Sequence, residues 1–373
     1  MEPKKSHYGT AADRWAGMGP YYAMFPSAFA DAAVAKYSKP GETVLDPFSG
    51  RGTSLFSAAS AGRYAIGIEL NPVGWVYSRT KLGPAPCDEV FGRIKTIQSH
   101  SAAYGEEARK LPVFFKHCFT KNTREFLLCA RERLDWRNDN LDRTVMAFLM
   151  IHLHGKASDS LSNQMRQTKA MAPRYAVNWW RAGGYRPPKI DPVEFFRKKL
   201  AWRYAKGIPT VTESIALLGD SVAILEKLEE HLSGVGMKRP SLMLTSPPYF
   251  GITNYHYDQW IRLWLLGGPP TDRRVSAERK GKHQGKFENL AAYSELLVSV
   301  FAGASKILGK DGIVYVRTDR REPTVSITRD ALRKAFPNHR LQRRNQPLKG
   351  KSQTRLFGNE DPRLGEVDFI LQP

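Results

Sequence analysis

The sequence predicts an α/β protein, an open sheet carrying a mainly helical insertion. Three observations lead there. Residues 43–69 read as strand, glycine-rich turn, helix, strand and acid, the opening of a nucleotide-binding sheet. From Gly83 to about Pro209 this pattern gives way to helical periodicities and a basic, aromatic stretch. Strand signals then return at Ile215, and the apolar run Leu242-Met243-Leu244 stops abruptly in Thr245-Ser246-Pro247-Pro248-Tyr249.

Taken in order, Pro26 to Tyr37 is a short helix, with proline at its start and apolar residues at helical spacing. Lys39-Pro40-Gly41 is a turn, Thr43 to Asp46 a strand, and Pro47 to Thr53 a loop. Ser54 to Ala61 is helical and Gly62 stops it. Tyr64 to Glu69 is the second strand, and Asn71-Pro72 starts a helix to about Lys81. Helices are expected near 88–110, 120–136, 141–154 and 193–206, with an irregular segment at 155–190 containing Asn178-Trp179-Trp180. The sheet resumes with a strand at 215–220, a helix at 221–232 and a strand at 240–244. A helix near 257–266, a basic loop at 269–288, a helix near 290–308 and a strand at 312–317 follow. A helix near 325–336 and an edge strand from Val367 to Leu371 complete the reading. The expected division is 1–82 with 211–373 as one domain and 83–210 as the insertion.

Composition narrows the function. The 373 residues, 42% hydrophobic, suffice for a large α/β core plus an insertion. There are 57 basic and 36 acidic residues, a net charge of +21, which points to a polyanionic partner. Residues 331–357 hold eight Lys/Arg and no acid, and residues 150–206 hold twelve basic and three acidic residues. Such clusters bind phosphate backbones through counterion release. Cys87, Cys118 and Cys129 form no CxxC pair, which argues against a disulfide framework or zinc ribbon and fits a reducing cytoplasm. His152 and His154 lack a third ligand nearby and read as core or capping histidines, so no metal is expected. The start MEPKKSHYGT has no apolar signal core and no run of about 18 apolar residues is evident, so neither export nor a membrane span is expected.

Two stretches carry chemistry. In DPFSGRGT, 46–53, glycines let backbone N–H groups approach a ligand, and the next helix points its positive end there. Glu69, sixteen residues after Thr53, can accept both hydroxyls of a ribose. The spacing is not GxGxxG, so a pyrophosphate is not the obvious ligand. The second stretch is the Thr245–Tyr249 turn. Prolines cannot donate to a sheet ladder, so a stiff corner forms at the strand's carboxyl edge, where open sheets bind ligands. Ser246 offers a hydroxyl, Pro247 a carbonyl and Tyr249 a flat ring. Acceptors aimed at the protons of a nucleobase amine favour a pyramidal nitrogen with a localised lone pair. Positioning against an electrophile then does most of the work.

These residues resemble the amino-group DNA methyltransferases that use S-adenosylmethionine. FSGRG, 48–52, matches their FxGxG cofactor motif and TSPPY their catalytic motif. The similarity extends over 24–80 and 214–320, including MFPSAFADAAVAKYSKPGETVLDPFSGRGT (24–53) and LLGDSVAILEKL (217–228). It implies a Rossmann-like class I methyltransferase sheet. It also implies that Asp46, Phe48, Gly50, Gly52 and Thr53 line the methionine and ribose part of the cofactor. Glu69 would bind the ribose, Asp220 with Ser221 the adenine, and Phe25 and Pro26 would close over the methionine end. Asp220 would serve equally as a cap for the helix at 221–232. Ser246, Pro247 and Tyr249 would hold the target base, with Thr245 and Pro248 shaping the turn.

In the family, serine at the position of Ser246 goes mostly with cytosine N4, and Asp or Asn with adenine N6. One departure is that the cofactor motif here precedes the catalytic motif, whereas many Ser-type members are permuted. The implied substrate is double-stranded DNA with the target base flipped out. Asn163, Gln164 and Arg166 could read base edges, and Arg273, Arg274, Lys280 and Lys282 could meet phosphates. The family setting is a bacterial or phage modification enzyme in the cytoplasm, beside a separately acting restriction endonuclease. Competing expectations are an adenine-N6 enzyme, an RNA methyltransferase and a catalytically decayed DNA-binding protein.

Overall fold

The computed structural model describes residues 8–21, 26–235, 238–251, 254–272, 289–346 and 365–373. Contacts divide the chain into two compact units. Strands are numbered β1 to β7 and helices α1 to α15, each in chain order along the whole chain.

The sheet unit comprises Ala23–Leu82, Thr210–Asn254 and Gly281–Pro373. Its strands are β1 (Thr43–Asp46), β2 (Tyr64–Glu69), β3 (Ile215–Leu218), β4 (Leu242–Thr245), β5 (Ile313–Asp319), β6 (Arg340–Gln346) and β7 (Glu366–Gln372). They form one sheet in the order β3-β2-β1-β4-β5-β7-β6. The first five are parallel to their neighbours, and β7 runs antiparallel to both β5 and β6. This is the Rossmann-like α/β sheet expected from the sequence. Its helices are α2 (Ser27–Tyr37), α3 (Thr53–Ser60), α4 (Pro72–Leu82), α12 (Ser221–Val235), α14 (Leu290–Ile307) and α15 (Thr324–Ala335).

β1 and β4 are neighbours although 199 residues separate Asp46 from Thr245, the ends of the two strands. Val44 pairs with Leu242 and Leu45 with Met243. The chain turns one way from β1 to β2 and β3, and the other way from β4 to β5. In open α/β sheets ligands bind at the carboxyl ends of the strands at such a reversal. All four residues of β1 and all four of β4 are buried, apolar at Val44, Leu45 and Leu242 to Leu244 and polar only at Thr43, Asp46 and Thr245.

α14 is long and apolar enough to cross a bilayer by length and composition, although Glu295 and Lys306 interrupt its apolar run. Its Leu296, Leu297, Val300, Phe301 and Ala304 instead pack into the core with Leu45, Met243, Val314 and Val316 of the sheet. Two strands depart from expectation. β6 is a polar, largely exposed edge strand. The edge strand expected at Val367 to Leu371 is β7, which lies inside the sheet between β5 and β6.

The helical unit comprises Met1–Tyr22, Gly83–Pro209 and Tyr255–Lys280. It thus gathers the N-terminal segment and the stretch after the proline turn, both expected in the sheet domain. Its helices are α1 (Ala11–Ala16), α5 (Cys87–His100), α6 (Gly105–Lys110), α7 (Val113–Cys118), α8 (Lys121–Arg133), α9 (Asn140–His152), α10 (Pro173–Ala182), α11 (Pro192–Tyr204) and α13 (Tyr255–Leu265). The helix expected over 88–110 is broken by a 3₁₀ turn at Ser101–Tyr104.

Aromatic burial explains the wider membership of this unit. Trp15 of α1 is fully buried, edge-on to Tyr204 at 5.1 Å and Phe148 at 6.3 Å. Trp264 of α13 meets Phe115 at 4.5 Å, and Trp260 donates from Nε1 to the Met171 carbonyl at 3.0 Å. Arg262 is fully buried, donating from Nε to the Met150 carbonyl at 2.9 Å and from NH2 to the Gln167 carbonyl at 2.6 Å. A buried guanidinium survives when its donors are matched in this way.

Candidate functional site

The glycine loop folds because two positions need a left-handed backbone. Gly50 has φ +55° and Gly52 φ +71°. Gly52 is the N-cap of α3, and a Cβ there would stand 2.5 Å from Ser78 Oγ. α4 closes against the loop through Gly74, where a Cβ would lie 2.6 Å from the Gly50 carbonyl oxygen. Ser78 Oγ donates to that same carbonyl at 3.1 Å. Sequence reasoning missed Gly74 and Ser78. A glycine inside a helix costs about 1 kcal/mol against alanine, and that cost was the available signal.

Glu69 ends β2 and grips the loop. Its Oε2 accepts from the Gly50 N–H at 2.6 Å and its Oε1 from the Asn71 N–H at 2.7 Å. Burial lifts its carboxyl to about 7, the two backbone bonds oppose the rise, and nearby Asp46 adds to it. Each carboxylate oxygen retains a lone pair for a further donor. Asp46 is buried at the end of β1. Its Oδ1 accepts from the Phe48 N–H at 3.0 Å, and its Oδ2 accepts from Ser54 Oγ. Burial lifts this carboxyl to about 6 against its hydrogen bonds. Phe48 is half-buried on the sheet core. Thr53 is buried, and its Oγ1 has no hydrogen-bond partner among the described residues.

The proline turn meets this loop directly. Thr245 Oγ1 donates to Asp46 Oδ1 at 2.6 Å. The ends of β1 and β4 therefore share one buried carboxylate. Pro247 and Pro248 are buried and Ser246 is half-buried. The Tyr249 ring is 2% exposed, and its hydroxyl shares a hydrogen bond with Ser246 and faces Glu366 of β7. Burial, then the Glu366 charge, holds this phenol well above its usual range. Tyr249 is thereby held to the turn at Ser246 and to β7 at Glu366.

The bracing network was not foreseen. Arg317 Nε and NH2 reach Asp368 at 2.7 and 2.9 Å, and NH1 reaches Glu366 Oε2 at 3.2 Å. The Arg317 guanidinium also lies 3.4 Å from the Phe29 ring centroid. Arg321 chelates Asp319 and donates to the Phe250 carbonyl at 2.8 Å, clasping the end of the turn. These residues follow no local motif, because strands distant in sequence bring them together.

The remaining expected residues divide. Asp220 Oδ1 accepts from the Val222 N–H at 2.9 Å and the Ala223 N–H at 3.3 Å, the cap of α12. Ser221 donates to the Pro47 carbonyl at 2.6 Å and so ties α12 to the glycine loop. Pro26 is exposed at the start of α2. Phe25, Arg273, Arg274, Lys280 and Lys282 lie outside the described residues.

In the helical unit, Asn163 is buried, so it presents no amide to a base edge. Its Nδ2 donates to the carbonyls of His117 at 3.1 Å and Tyr185 at 3.2 Å, and its Oδ1 accepts from the Gln164 N–H at 2.8 Å. Gln164 Oε1 accepts from the Ala157 N–H at 3.1 Å, and Arg166 is exposed. Gln164 and Arg166 line a cavity of about 520 Å³ with Lys156, Gln167 and Thr168. His154 is buried with Nδ1 against the Arg166 carbonyl at 2.8 Å, and burial lowers His152 to about 3.

Residues 2–73 match the family model described as DNA methylase. That segment holds β1, the glycine loop, α3 and β2. Type II methyltransferase M.SmaI of Serratia marcescens is 45% identical over 53 residues, 14% of this chain and 18% of that protein. Type II methyltransferase M.MthZI of Methanothermobacter thermautotrophicus is 47% identical over 49 residues, 13% of this chain and 14% of that protein. The chain thus spans less than a fifth of the length of the curated relatives it matches. The rRNA methyltransferase aviRa from Streptomyces viridochromogenes aligns over 98% of this chain and 96% of its own, at 13% identity and a TM-score of 0.35. At that score the fold rests on the strand order described above.

Proposed function

We propose that this protein is an S-adenosylmethionine-dependent DNA methyltransferase acting on the N4 amine of a cytosine flipped from double-stranded DNA. The observation that carries the reading is the Thr245–Asp46 hydrogen bond at 2.6 Å, which joins the glycine loop to the proline turn. A donor held in one can then face an amine held by the other.

The chain's residues fit the cofactor. The buried Thr53 hydroxyl has a hydrogen bond still to make among the described residues. Glu69 has the lone pairs for two ribose hydroxyls, and the Asp220 carboxylate that caps α12 can also accept from the adenine amine. When bound, S-adenosylmethionine supplies an electrophilic methyl carbon. Ser246 Oγ and the Pro247 carbonyl accept the protons of the cytosine amine and localise its lone pair. No covalent enzyme intermediate would be needed, since that nitrogen would take the methyl carbon from the bound cofactor and leave the sulfur as a neutral thioether. The proton leaves once the nitrogen is cationic, so no strong general base is required. Serine at 246 favours cytosine N4 over adenine N6 by the family's usual sorting. The setting proposed is a modification enzyme beside a separately acting restriction endonuclease.

The test is incubation with labelled cofactor and either duplex DNA or total RNA, followed by digestion and mass spectrometry. N4-methylcytosine in DNA is expected. N6-methyladenine alone would overturn the base assignment. Label in RNA only, or cofactor binding without transfer to either, would overturn the function.

A further inference from the structure

We propose that the exposed face of α10, carrying Arg174, Tyr175, Asn178 and Arg181, enters the DNA major groove and reads the target sequence. This rests on the DNA substrate proposed above and replaces Asn163, whose amide is spent inside the fold.

α10 is amphipathic by burial. Ala176, Val177 and Trp180 face inward, and Arg174, Asn178 and Arg181, spaced i, i+4, i+7, face out with Tyr175. The inner side is pinned. Trp180 is fully buried, donates from Nε1 to the Gln164 carbonyl at 2.6 Å and packs on Phe114 at 5.5 Å. The outer face is uncommitted. Arg174, Tyr175 and Asn178 make no hydrogen bond, ion pair or ring contact among the described residues. Arg181 meets only the His117 ring, at 3.2 Å, and burial and the arginine charge lower that histidine's pKa, so it provides no counter-charge.

A solvated helix face ordinarily mixes acids with bases at i, i+4 spacing. From 160 to 190 the sequence has no Asp or Glu. Lys169 is paired with Asp258 at 2.9 Å, and the other five bases of the stretch are all exposed. Tyr175 is 63% exposed, so its ring is accessible to a base edge or a thymine methyl. A ten-residue helix is about 15 Å long and about 10–12 Å across, which a major groove roughly 12 Å wide admits. Asparagine and arginine are the side chains that pair two-pronged with adenine and guanine edges. Beyond the helix, Tyr185 stacks on Trp179 at 4.7 Å and leads to exposed Arg186 and Lys189, suited to phosphates.

The experiment uses the full-length protein and Asn178→Ala, Arg174→Ala and Arg181→Ala variants. It measures binding to a pool of random-sequence duplexes across salt, and sequences the methylated sites. Each arginine variant is expected to reduce the slope of log affinity against log salt by about 1, and Asn178→Ala to relax discrimination at one position by roughly tenfold. Cofactor affinity and thermal midpoint should not change. Unchanged slopes and unchanged sites in a protein that still methylates DNA would overturn the assignment of α10 alone. Slopes that depend on α10 in a protein that transfers no methyl would sink the proposed function and support the surface. The same dependence on RNA but not on DNA would overturn the choice of partner.

Discussion

Glu69 should make cofactor affinity depend on pH in a specific direction. Its carboxyl sits at about 7 instead of 4.5, so ionising it in the free protein costs on the order of 3 kcal/mol more than in water, at about 1.4 kcal/mol per unit. Two ribose hydroxyls would donate only to good advantage to the ionised form. Binding should therefore expel a proton below about pH 7, and affinity should rise up to tenfold per pH unit there and level off above. From about pH 5 to about pH 7 the gain is roughly 50-fold, or about 2.3 kcal/mol. Stability of the free protein runs the other way. Between 4.5 and about 7 the folded chain holds a proton that the unfolded chain has released, so raising the pH through that window destabilises the fold. Asp46 adds a similar loss between 3.8 and about 6. Glu69→Gln should flatten the affinity profile and weaken binding, because one of the Gly50 and Asn71 N–H groups then faces an amide donor. Calorimetric titration with S-adenosylmethionine in buffers of different ionisation enthalpy measures both affinity and proton release. A wild-type affinity flat across this range, or the same slope in the glutamine variant, would refute the role given to Glu69.

Gly74→Ala should gain about 1 kcal/mol of helix propensity yet lose more, because the new Cβ meets a backbone carbonyl at 2.6 Å. A lower thermal midpoint and at least roughly tenfold weaker cofactor binding are expected, and a more stable protein would contradict the packing argument. Asn163→Ala should cost roughly 1–3 kcal/mol in urea unfolding, since it strands three part-buried hydrogen-bond partners. Its methylation sites should stay the same, and a changed site would return Asn163 to recognition. Glu366→Gln removes the charge beneath Tyr249 and one partner of Arg317. Turnover should fall by roughly tenfold with cofactor affinity unchanged, because the turn loosens while the glycine loop does not. An unaltered kcat would detach β7 from the reaction.

The parts of the molecule legible in sequence are those where one residue type answers one backbone demand. Gly50 and Gly52 stand at positive φ, and two prolines end β4, so residue types alone locate the two loops of the site. Strand adjacency could not be read. That β1 meets β4 follows from the chain reversing at the middle of the sheet, and only then does Asp46 become the shared acceptor of Thr245. Glu366, Asp368 and Arg317 stayed hidden for the same reason. Asn163 was misplaced because a polar side chain in an irregular basic stretch looks exposed, whereas the loop needed its amide to satisfy buried carbonyls. α10 escaped notice because ten residues with two adjacent tryptophans blur the helical period.

Charge shows most clearly why a sequence pattern is not yet a site. The basic run at 331–357 and the one at 160–190 look equivalent as composition. Arg340, Arg343 and Arg344 of the first lie exposed on β6, the outermost strand of the sheet. Charged side chains on such an edge discourage pairing with a second sheet, and that alone accounts for them. The helix α10 has no open backbone edge to protect, because its hydrogen bonds are internal. Its uncompensated arginines, beside a largely exposed tyrosine and a free asparagine, therefore need another reason, and a polyanion with readable edges provides one. Salt dependence separates the two cases: substituting β6 arginines should leave the DNA-binding slope unchanged, whereas substituting those of α10 should lower it.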